Sequence, residues 1–164
     1  MQMPDEIAKL AAEVIAALKA QRLTIATAES CTGGLIAGAL TSIPGSSDAV
    51  YGGFVTYANE AKIAMVGVPY ALLHEFGAVS KEVASAMAEG AMGAAGTHLA
   101  VAVTGIAGPD GGSKDKPVGL VHIAVATGET TRNLRKTFDP EWTRDQIREA
   151  SVIEALKLVR KAVG

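Results

Sequence analysis

The chain has 164 residues, of which 49% are hydrophobic and 4% aromatic, and its formal net charge is −2 at pH 7. This hydrophobic content excludes an intrinsically disordered chain, and the length is sufficient for one domain with a buried core. Basic residues do not cluster before the C-terminal segment, which argues against nucleic-acid binding because phosphate contacts need lysines and arginines on one face.

In chain order, the hydrophobic pattern predicts a helix over residues 5–20, a strand over 23–28, a helix over 35–41, a strand over 49–57, helices over 59–65, 70–76 and 80–95, strands over 98–105, 118–127 and 130–138, and a helix from 139 to 163. Alternating strands and helices predict an α/β sandwich with a mainly parallel sheet, to which the late hairpin adds antiparallel strands. Because no repeat or long linker interrupts the pattern, we expect residues 1–164 to form a single domain.

The cysteine content and the N-terminus bear on cellular location. Cys31 is the only cysteine, so it cannot form an internal disulfide, as is usual in a reducing compartment. No apolar stretch approaches the roughly 20 residues that span a bilayer, and the acidic residues 1–6 lack the layout of a secretory signal. We therefore expect a cytoplasmic protein that does not bind a membrane.

A serine lies where the first strand passes into the second helix, in Ala28-Glu29-Ser30-Cys31-Thr32-Gly33-Gly34. This point is the carboxyl edge of the sheet, where open α/β folds bind ligands. The backbone N–H groups of the helix start could stabilise an oxyanion when Ser30 attacks an amide, and glycines let a substrate approach the backbone. Thr32, Gly33 and Gly34 are therefore candidate substrate-binding residues. The alternative is that Ser30 or Thr32 only caps the helix.

A serine nucleophile needs a base, and Lys62 is the best candidate. The three histidines are scattered over different elements without a recognisable acid partner, so nothing supports a Ser-His-Asp triad. We expect Lys62 at the third position of a helix capped by Asn59, where the helix dipole and burial both favour a neutral amine. Tyr57, at the end of its strand, could relay a proton or hold the lysine. The alternatives are a solvated lysine beside Glu60 and a tyrosine that only packs.

Two further regions could bind a substrate. The glycine-rich loop that starts at Thr104 and Gly105 follows a strand and should lie at the same sheet edge as Ser30. Its backbone donors could hold a phosphate or a flat ring, although it matches neither the P-loop nor the dinucleotide motif, and a flexible connection is the alternative. Arg144, near the start of the last helix, could bind a phosphate with two hydrogen bonds or form a surface salt bridge.

Other reactive side chains receive simpler interpretations. Cys31 is an alternative nucleophile beside Ser30, but cysteine is commonly a buried small residue and we favour that interpretation. Arg132, Arg135 and Lys136 lie on a polar edge-like strand and are expected to be solvated or at a subunit contact. No His, Cys or carboxylate cluster has metal-ligand spacing, so no metal and no other cofactor is predicted.

The combined motifs resemble the CinA C-terminal domain family, whose stand-alone members include nicotinamide-nucleotide amidases. The resemblance runs from about Glu6 to the C-terminus and rests on Ala28-Glu29-Ser30-Cys31-Thr32-Gly33-Gly34, Tyr51-Gly52-Gly53-Phe54-Val55-Thr56-Tyr57 with Asn59 and Lys62, Val79-Ser80, and Thr104-Gly105-Ile106-Ala107-Gly108-Pro109. It implies a three-layer α/β/α sandwich with a mixed, mainly parallel sheet.

The resemblance also implies a function, the metal-independent hydrolysis of nicotinamide mononucleotide to nicotinate mononucleotide and ammonia. The family's serine, tyrosine and lysine fall on Ser30, Tyr57 and Lys62, and its substrate-lining loop on Thr104, Gly105 and Gly108. The expected partner is thus a small nucleotide. Independently of the resemblance, the Ala- and Gly-rich faces and the polar edge strand favour a homo-oligomer. The alternatives are a non-catalytic nucleotide-binding or assembly module, and an amidase for another small amide.

Overall fold

Five strands form the central layer of the molecule. The computed structural model describes residues 2–164, and its strands are β1 (Ile25–Glu29), β2 (Val50–Val55), β3 (Leu99–Gly105), β4 (Leu120–Ala126) and β5 (Thr131–Thr137). Their spatial order is β2-β1-β3-β4-β5. Strands β2, β1 and β3 are parallel, whereas β4 and β5 each run antiparallel to the preceding strand. The sheet is therefore mixed, and the late hairpin supplies its antiparallel part, as predicted.

Six helices cover the two faces of the sheet. They are α1 (Asp5–Ala20), α2 (Leu35–Thr41), α3 (Asn59–Val66), α4 (Tyr70–Phe76), α5 (Lys81–Ala95) and α6 (Arg144–Val163). Helices α1, α2 and α6 pack on one face, and α3, α4 and α5 pack on the other. This arrangement confirms the three-layer α/β/α sandwich. Within residues 2–164, no helix combines the length and the apolar character needed to cross a membrane.

The two faces of the sheet carry side chains of different size. The strand residues packed beneath α1 and α6 are branched and include Val101, Val103, Ile123 and Val125. Those packed beneath α5 are alanines, namely Ala100, Ala102, Ala124 and Ala126. Because successive side chains of a strand point to opposite faces, this alternation buries both faces. The small side chains let α5 lie close to the sheet.

The start of α6 and the N-cap of α3 differ from the sequence prediction. Helix α6 begins at Arg144 and not at residue 139, because Thr143 and Gln146 form a reciprocal capping box. Helix α3 begins at Asn59, with Ala58 as its N-cap and no side-chain cap. The prediction that Asn59 caps this helix is therefore wrong, and Lys62 occupies the fourth helical position, not the third.

Strand ends bring the predicted site residues to one edge of the sheet. Parallel pairing places Glu29, the last residue of β1, beside Val55 of β2 and Val103 of β3. The chain segments that follow these three strands therefore leave the same edge of the sheet. Ser30 and Tyr57 lie in the segments after β1 and β2, and Thr104–Gly105 form the last two residues of β3 at this edge.

A close contact between α5 and the end of α3 gives a test of this packing. A Cβ atom built on Gly90 would lie 1.8 Å from the Val66 carbonyl oxygen, whereas one on Gly93 of the same helix has no heavy atom within 4 Å. We expect Gly90→Ala to lower the free energy of unfolding by about 1–3 kcal/mol or more. Gly93→Ala should leave it unchanged or raise it by up to about 1 kcal/mol, because alanine favours helix. Urea unfolding measures both, and equal effects would contradict the close approach.

Candidate active site

Ser30 is the first residue after β1. Its backbone N–H donates to the Val103 carbonyl at 2.9 Å, which continues the contact between β1 and β3 by one residue and fixes the serine in place. The side chain is 9% exposed, and its Oγ lies 3.0 Å from Lys62 Nζ. The hydroxyl and the amine that the sequence pairs as nucleophile and base are thus in direct hydrogen-bond contact.

Lys62 is almost completely buried, with 1% of its surface exposed. Besides Ser30, its Nζ contacts the carbonyl oxygens of Thr56 at 2.8 Å and of Tyr57 at 3.1 Å. Burial lowers the pKa of Lys62 from its ordinary value of 10.5, and a weaker electrostatic influence of Cys31 opposes this. The salt bridges of residues 2–164 do not include Lys62, so no carboxylate offsets the cost of burying the ammonium.

The three neighbours of the amine suit both of its protonation states. When Nζ is neutral, its two N–H bonds can point to the carbonyls of Thr56 and Tyr57, which only accept, and its lone pair is left to accept the Ser30 hydroxyl proton. When Nζ is protonated, the same three oxygen atoms accept its three N–H bonds. No heavy atom has to move between the two states, which is the requirement for a group that takes a proton and returns it.

Tyr57 contacts the site through two different groups. Its main-chain carbonyl accepts from Lys62, whereas its phenol, on a side chain that is 61% exposed, accepts a hydrogen bond from Arg144 Nη2 at 3.1 Å. Because Ser30 and Lys62 are already in contact, a proton can pass between them without the phenol. Of the two roles predicted for Tyr57, the geometry fits the one in which it holds Lys62. The group in contact with the lysine is the Tyr57 main-chain carbonyl and not the phenol.

Six of the predicted residues line one cavity of about 200 Å³, namely Ser30, Tyr57, Lys62, Thr104, Gly105 and Arg144. Part of the cavity wall is formed by Ala78 and Val79, which precede α5. Thr104 Oγ1 donates to the Ala78 carbonyl at 2.9 Å and so ties this wall to the end of β3. Arg144, the first residue of α6, also lines the cavity. Its Nη1 donates to the Gly108 carbonyl at 2.8 Å, which connects α6 to the loop after β3.

Four predicted substrate-binding residues lie outside the lining of this cavity. Thr32 is fully buried, and its Oγ1 has no hydrogen-bond partner within the described chain. Gly33 donates its N–H to the Ser30 carbonyl at 3.0 Å. Gly34, with φ +105°, is the N-cap residue of α2. Gly108 reaches the site only through the carbonyl that accepts from Arg144.

Glu29 caps α2, a role that the sequence analysis did not assign. Its buried carboxylate accepts from the backbone N–H groups of Ile36 at 2.8 Å and Ala37 at 3.0 Å, where negative charge also suits the helix dipole. These amides are therefore occupied and cannot stabilise an oxyanion, and neither Ser30 nor Thr32 caps the helix as the alternative proposed. The signal in the sequence was a carboxylate at the end of an otherwise apolar buried strand.

The amides that remain open near Ser30 belong to the next two residues. The backbone N–H groups of Cys31 and Thr32 have no hydrogen-bond acceptor among residues 2–164. The Cys31 side chain lines the cavity, and burial raises the pKa of its thiol to about 11. At neutral pH the thiol is therefore protonated, which argues against Cys31 as the nucleophile.

Arg148 holds the loop that carries these amides, and it is a second residue that the sequence analysis missed. It lies one helical turn after Arg144, and its Nε donates to the Cys31 carbonyl at 3.0 Å. Its Nη2 lies 3.5 Å from the Thr32 carbonyl. Because C=O and N–H point in opposite directions across a trans peptide, the bond to Cys31 turns the Thr32 N–H away from α6. The spacing of Arg144 and Arg148 was the signal in the sequence.

Metal chemistry has no ligand cluster to support it in the part of the chain that the structure describes, since no group of three His, Cys, Asp or Glu side chains could hold an ion there.

Comparison with known proteins places the chain in a family. The model of the CinA C-terminal domain matches residues 7–163. A CinA-like protein of Geobacter sulfurreducens is 56% identical over 141 residues, which are 85% of this chain and 33% of that protein. A CinA-like protein of a Synechococcus species is 50% identical over 151 residues, 92% of this chain and 36% of that protein. The chain thus spans about a third of the length of these curated relatives.

Solved structures agree with this assignment over the full chain. The competence/damage inducible protein CihA of Agrobacterium tumefaciens has a TM-score of 0.95 and 47% identity, with 99% of each chain covered. The competence damage-inducible protein A of Klebsiella pneumoniae has a TM-score of 0.90 and 34% identity, with 94% of this chain and 95% of that chain covered. The chain therefore belongs to the CinA C-terminal domain family.

Proposed function

We propose that this chain is a metal-independent amidohydrolase that converts nicotinamide mononucleotide to nicotinate mononucleotide and ammonia. The observation that carries the proposal is the 3.0 Å contact between Ser30 Oγ and the buried Lys62 Nζ at the wall of a cavity. The substrate is the one that the sequence resemblance implies. The curated relatives are about three times longer than this chain. The proposal concerns the activity of this chain and not that of those whole proteins.

Acylation begins with proton transfer to the neutral amine. Lys62 takes the Ser30 hydroxyl proton while Oγ attacks the carboxamide carbon, giving a tetrahedral intermediate with a negatively charged oxygen. The Lys62 ammonium then donates this proton to the amide nitrogen, the carbon–nitrogen bond breaks, and ammonia leaves. The product of this half-reaction is an ester between Ser30 and the substrate acyl group, with Lys62 neutral again.

Deacylation repeats the same transfers with water. Lys62 removes a proton from a water molecule that attacks the ester carbon, and returns it to Ser30 Oγ as the carbon–oxygen bond breaks. The carboxylic acid formed loses its proton to solvent. The carbonyls of Thr56 and Tyr57 keep the amine in place through both halves, because they accept its N–H bonds whether it is neutral or charged.

The oxyanion is assigned to the open backbone N–H groups of Cys31 and Thr32. They are the first amides after the nucleophile, and no acceptor within the described residues occupies them. Arg148 acts as a positioning residue here, since its bond to the Cys31 carbonyl sets the orientation of the peptide that carries the Thr32 N–H. Preorganised donors of this kind stabilise developing charge without reorganising during the reaction.

The rival function is a non-catalytic nucleotide-binding or assembly module that keeps the cavity but not the turnover. A lysine with lowered pKa and no carboxylate partner favours the enzyme, because a binding module gains nothing from an uncharged amine beside a serine. An amidase for another small amide would use the same residues, and it is separated from the proposal only by the choice of substrate.

The identity of the nucleophile is tested by ammonia release from nicotinamide mononucleotide with EDTA present. Ser30→Ala should reduce the rate by at least about 10³-fold, because the covalent route is lost. Cys31→Ala, the neighbouring control, should stay within a few-fold of the wild type. Activity that survives in Ser30→Ala, or that disappears in Cys31→Ala, would contradict the mechanism. No release by the wild type, with nucleotide binding retained, would favour the module.

The lowered pKa of Lys62 predicts a pH dependence of stability. Between that lowered value and 10.5, the unfolded chain holds a proton on this lysine that the folded chain does not. The folded state therefore gains stability as the pH rises through this window. Urea unfolding should show wild-type stability rising relative to Lys62→Met as the pH approaches 10.5. A constant difference between the two proteins would mean that the folded-state pKa is ordinary.

Arg148 gives a test of the oxyanion assignment. Arg148→Gln should lower kcat by roughly 10–100-fold and change KM little, since the open amides stabilise a charge that develops only in the transition state. Arg148→Lys should recover part of the loss. Arg160→Gln, which removes a half-buried arginine at the far end of α6, serves as the control and should have wild-type kinetics. A change in KM alone for Arg148→Gln would assign it to substrate binding instead.

A further inference from the structure

A second cavity, of about 320 Å³, lies beside the candidate active site. Val79 contributes to the walls of both cavities. The strand register shows how they are related, because Thr104 of the first cavity pairs with His122 on β4, and His122 pairs with Arg135 on β5. Strands are about 4.8 Å apart, so two strand steps separate His122 from β1 by about 10 Å. This is roughly the span of a mononucleotide.

The second cavity carries an excess of positive charge. Three cationic side chains line it (Lys81, Lys116 and Arg135), against two carboxylates (Glu82 and Asp115). None of these five groups takes part in a salt bridge within residues 2–164. The Lys116 ammonium donates to the Phe76 carbonyl, which holds this cation at the cavity wall while two of its N–H bonds remain for a ligand.

Helix α5 begins at the same cavity. Its N-cap Ser80 lines the wall and accepts through Oγ only from the Val83 N–H at 3.2 Å, so the side chain leaves the first two helical amides, of Lys81 and Glu82, without a cap. Unpaired amides at the start of a 15-residue helix favour an anionic ligand. These amides add to the attraction that the three cationic side chains exert on an anion, and the argument from the cations does not depend on them.

His122 is half-buried among these groups. Burial, and then the charges of Arg135 and Lys116, lower the pKa of its imidazole, while Glu82 acts in the opposite direction. The neutral imidazole still offers one N–H donor. Lys81 and Asp115, which also line the cavity, complete the charged groups around it.

We infer that this second cavity is an anion site that binds a phosphate monoester through Arg135, Lys116 and His122, and that it receives the phosphate end of the nucleotide whose carboxamide lies at Ser30. Arginine and lysine donors with a helix start are the usual partners of phosphate. The second half of this inference rests on the proposed function, whereas the first half does not.

The alternative phosphate ligand, Arg144, is less free to bind. Its two terminal nitrogens already donate to the Gly108 carbonyl and the Tyr57 hydroxyl. Arg132 and Lys136, the other two basic residues of β5, lie on the opposite face of the sheet from Arg135, because successive residues of a strand alternate between faces. Lys136 pairs with Glu154 of α6. Arg135 is exposed, as expected for a solvated side chain, and it also lines this cavity.

Proton NMR of the imidazoles tests the anion site without any turnover. Addition of inorganic phosphate or ribose 5-phosphate to the wild type should shift the His122 signals in a saturable way and raise its pKa, since the anion offsets the nearby cations. The signals of His74 and His98, which do not line this cavity, serve as internal references. Arg135→Gln should weaken the binding at least tenfold, and Arg132→Gln, on the same strand but the opposite face, should not.

No response of His122 in the wild type, or an equal response in Arg135→Gln, would overturn the anion site whatever the activity of the enzyme. The nucleotide half is tested by KM for nicotinamide mononucleotide and for the riboside that lacks the phosphate. Arg135→Gln should raise KM for the nucleotide at least tenfold and leave that for the riboside unchanged. If both change equally, or if only Arg144→Gln shows the phosphate-dependent effect, the nucleotide half is wrong. If the wild type hydrolyses neither compound, the proposed function fails, and the NMR result still decides the anion site.

Discussion

The buried amine of Lys62 is the interaction on which the rest of the site depends. A lysine that is 1% exposed, without a carboxylate, has only carbonyls and a hydroxyl to satisfy it. Those acceptors come from two chain segments that leave adjacent parallel strands, with Ser30 after β1 and Thr56 and Tyr57 after β2. The pairing of Glu29 with Val55 therefore sets the distance between the Ser30 hydroxyl and the Lys62 amine. Any shift of register between β1 and β2 would separate them.

The same strand ends explain how much of the site could be predicted. Ser30 directly follows a strand with a strong hydrophobic pattern, and Lys62 lies in the first turns of the helix that follows the neighbouring strand. The strand patterns indicate the sheet edge at which these two segments meet. The mixed sheet could also be predicted, because a short turn between two strands forces β4 and β5 to be antiparallel. Local sequence was sufficient wherever the deciding contact joins neighbours in the chain or in the sheet.

Where the deciding contact joins distant residues, prediction was incomplete. The bond from Arg148 to the Cys31 carbonyl connects α6 to the loop after β1, more than a hundred residues apart in the sequence. The spacing of Arg144 and Arg148 places both on one helix face, but it does not indicate which distant carbonyl Arg148 contacts. Glu29 occupies the first amides of α2 from seven residues earlier, and the Gly33 amide is taken by the Ser30 carbonyl. Of the oxyanion donors expected around Thr32 and Gly33, only the Thr32 amide therefore stays open, and Cys31 joins it in the proposed mechanism. Helix α6 was predicted to begin at residue 139. It begins at Arg144 because Thr143 and Gln146 form a capping box, and residues 139–142 lie before the helix.

The protonated state of Cys31 has a consequence for chemical durability. A thiol with a pKa of about 11 is ionised to about one part in ten thousand at neutral pH, and oxidants and alkylating agents attack thiolates far faster than thiols. The sulfur atom therefore sits at the cavity wall as an inert neighbour of the hydroxyl. Acylating agents that enter the cavity should therefore react with Ser30, if it is activated as proposed. Thiol-specific alkylating agents should leave Cys31 unmodified.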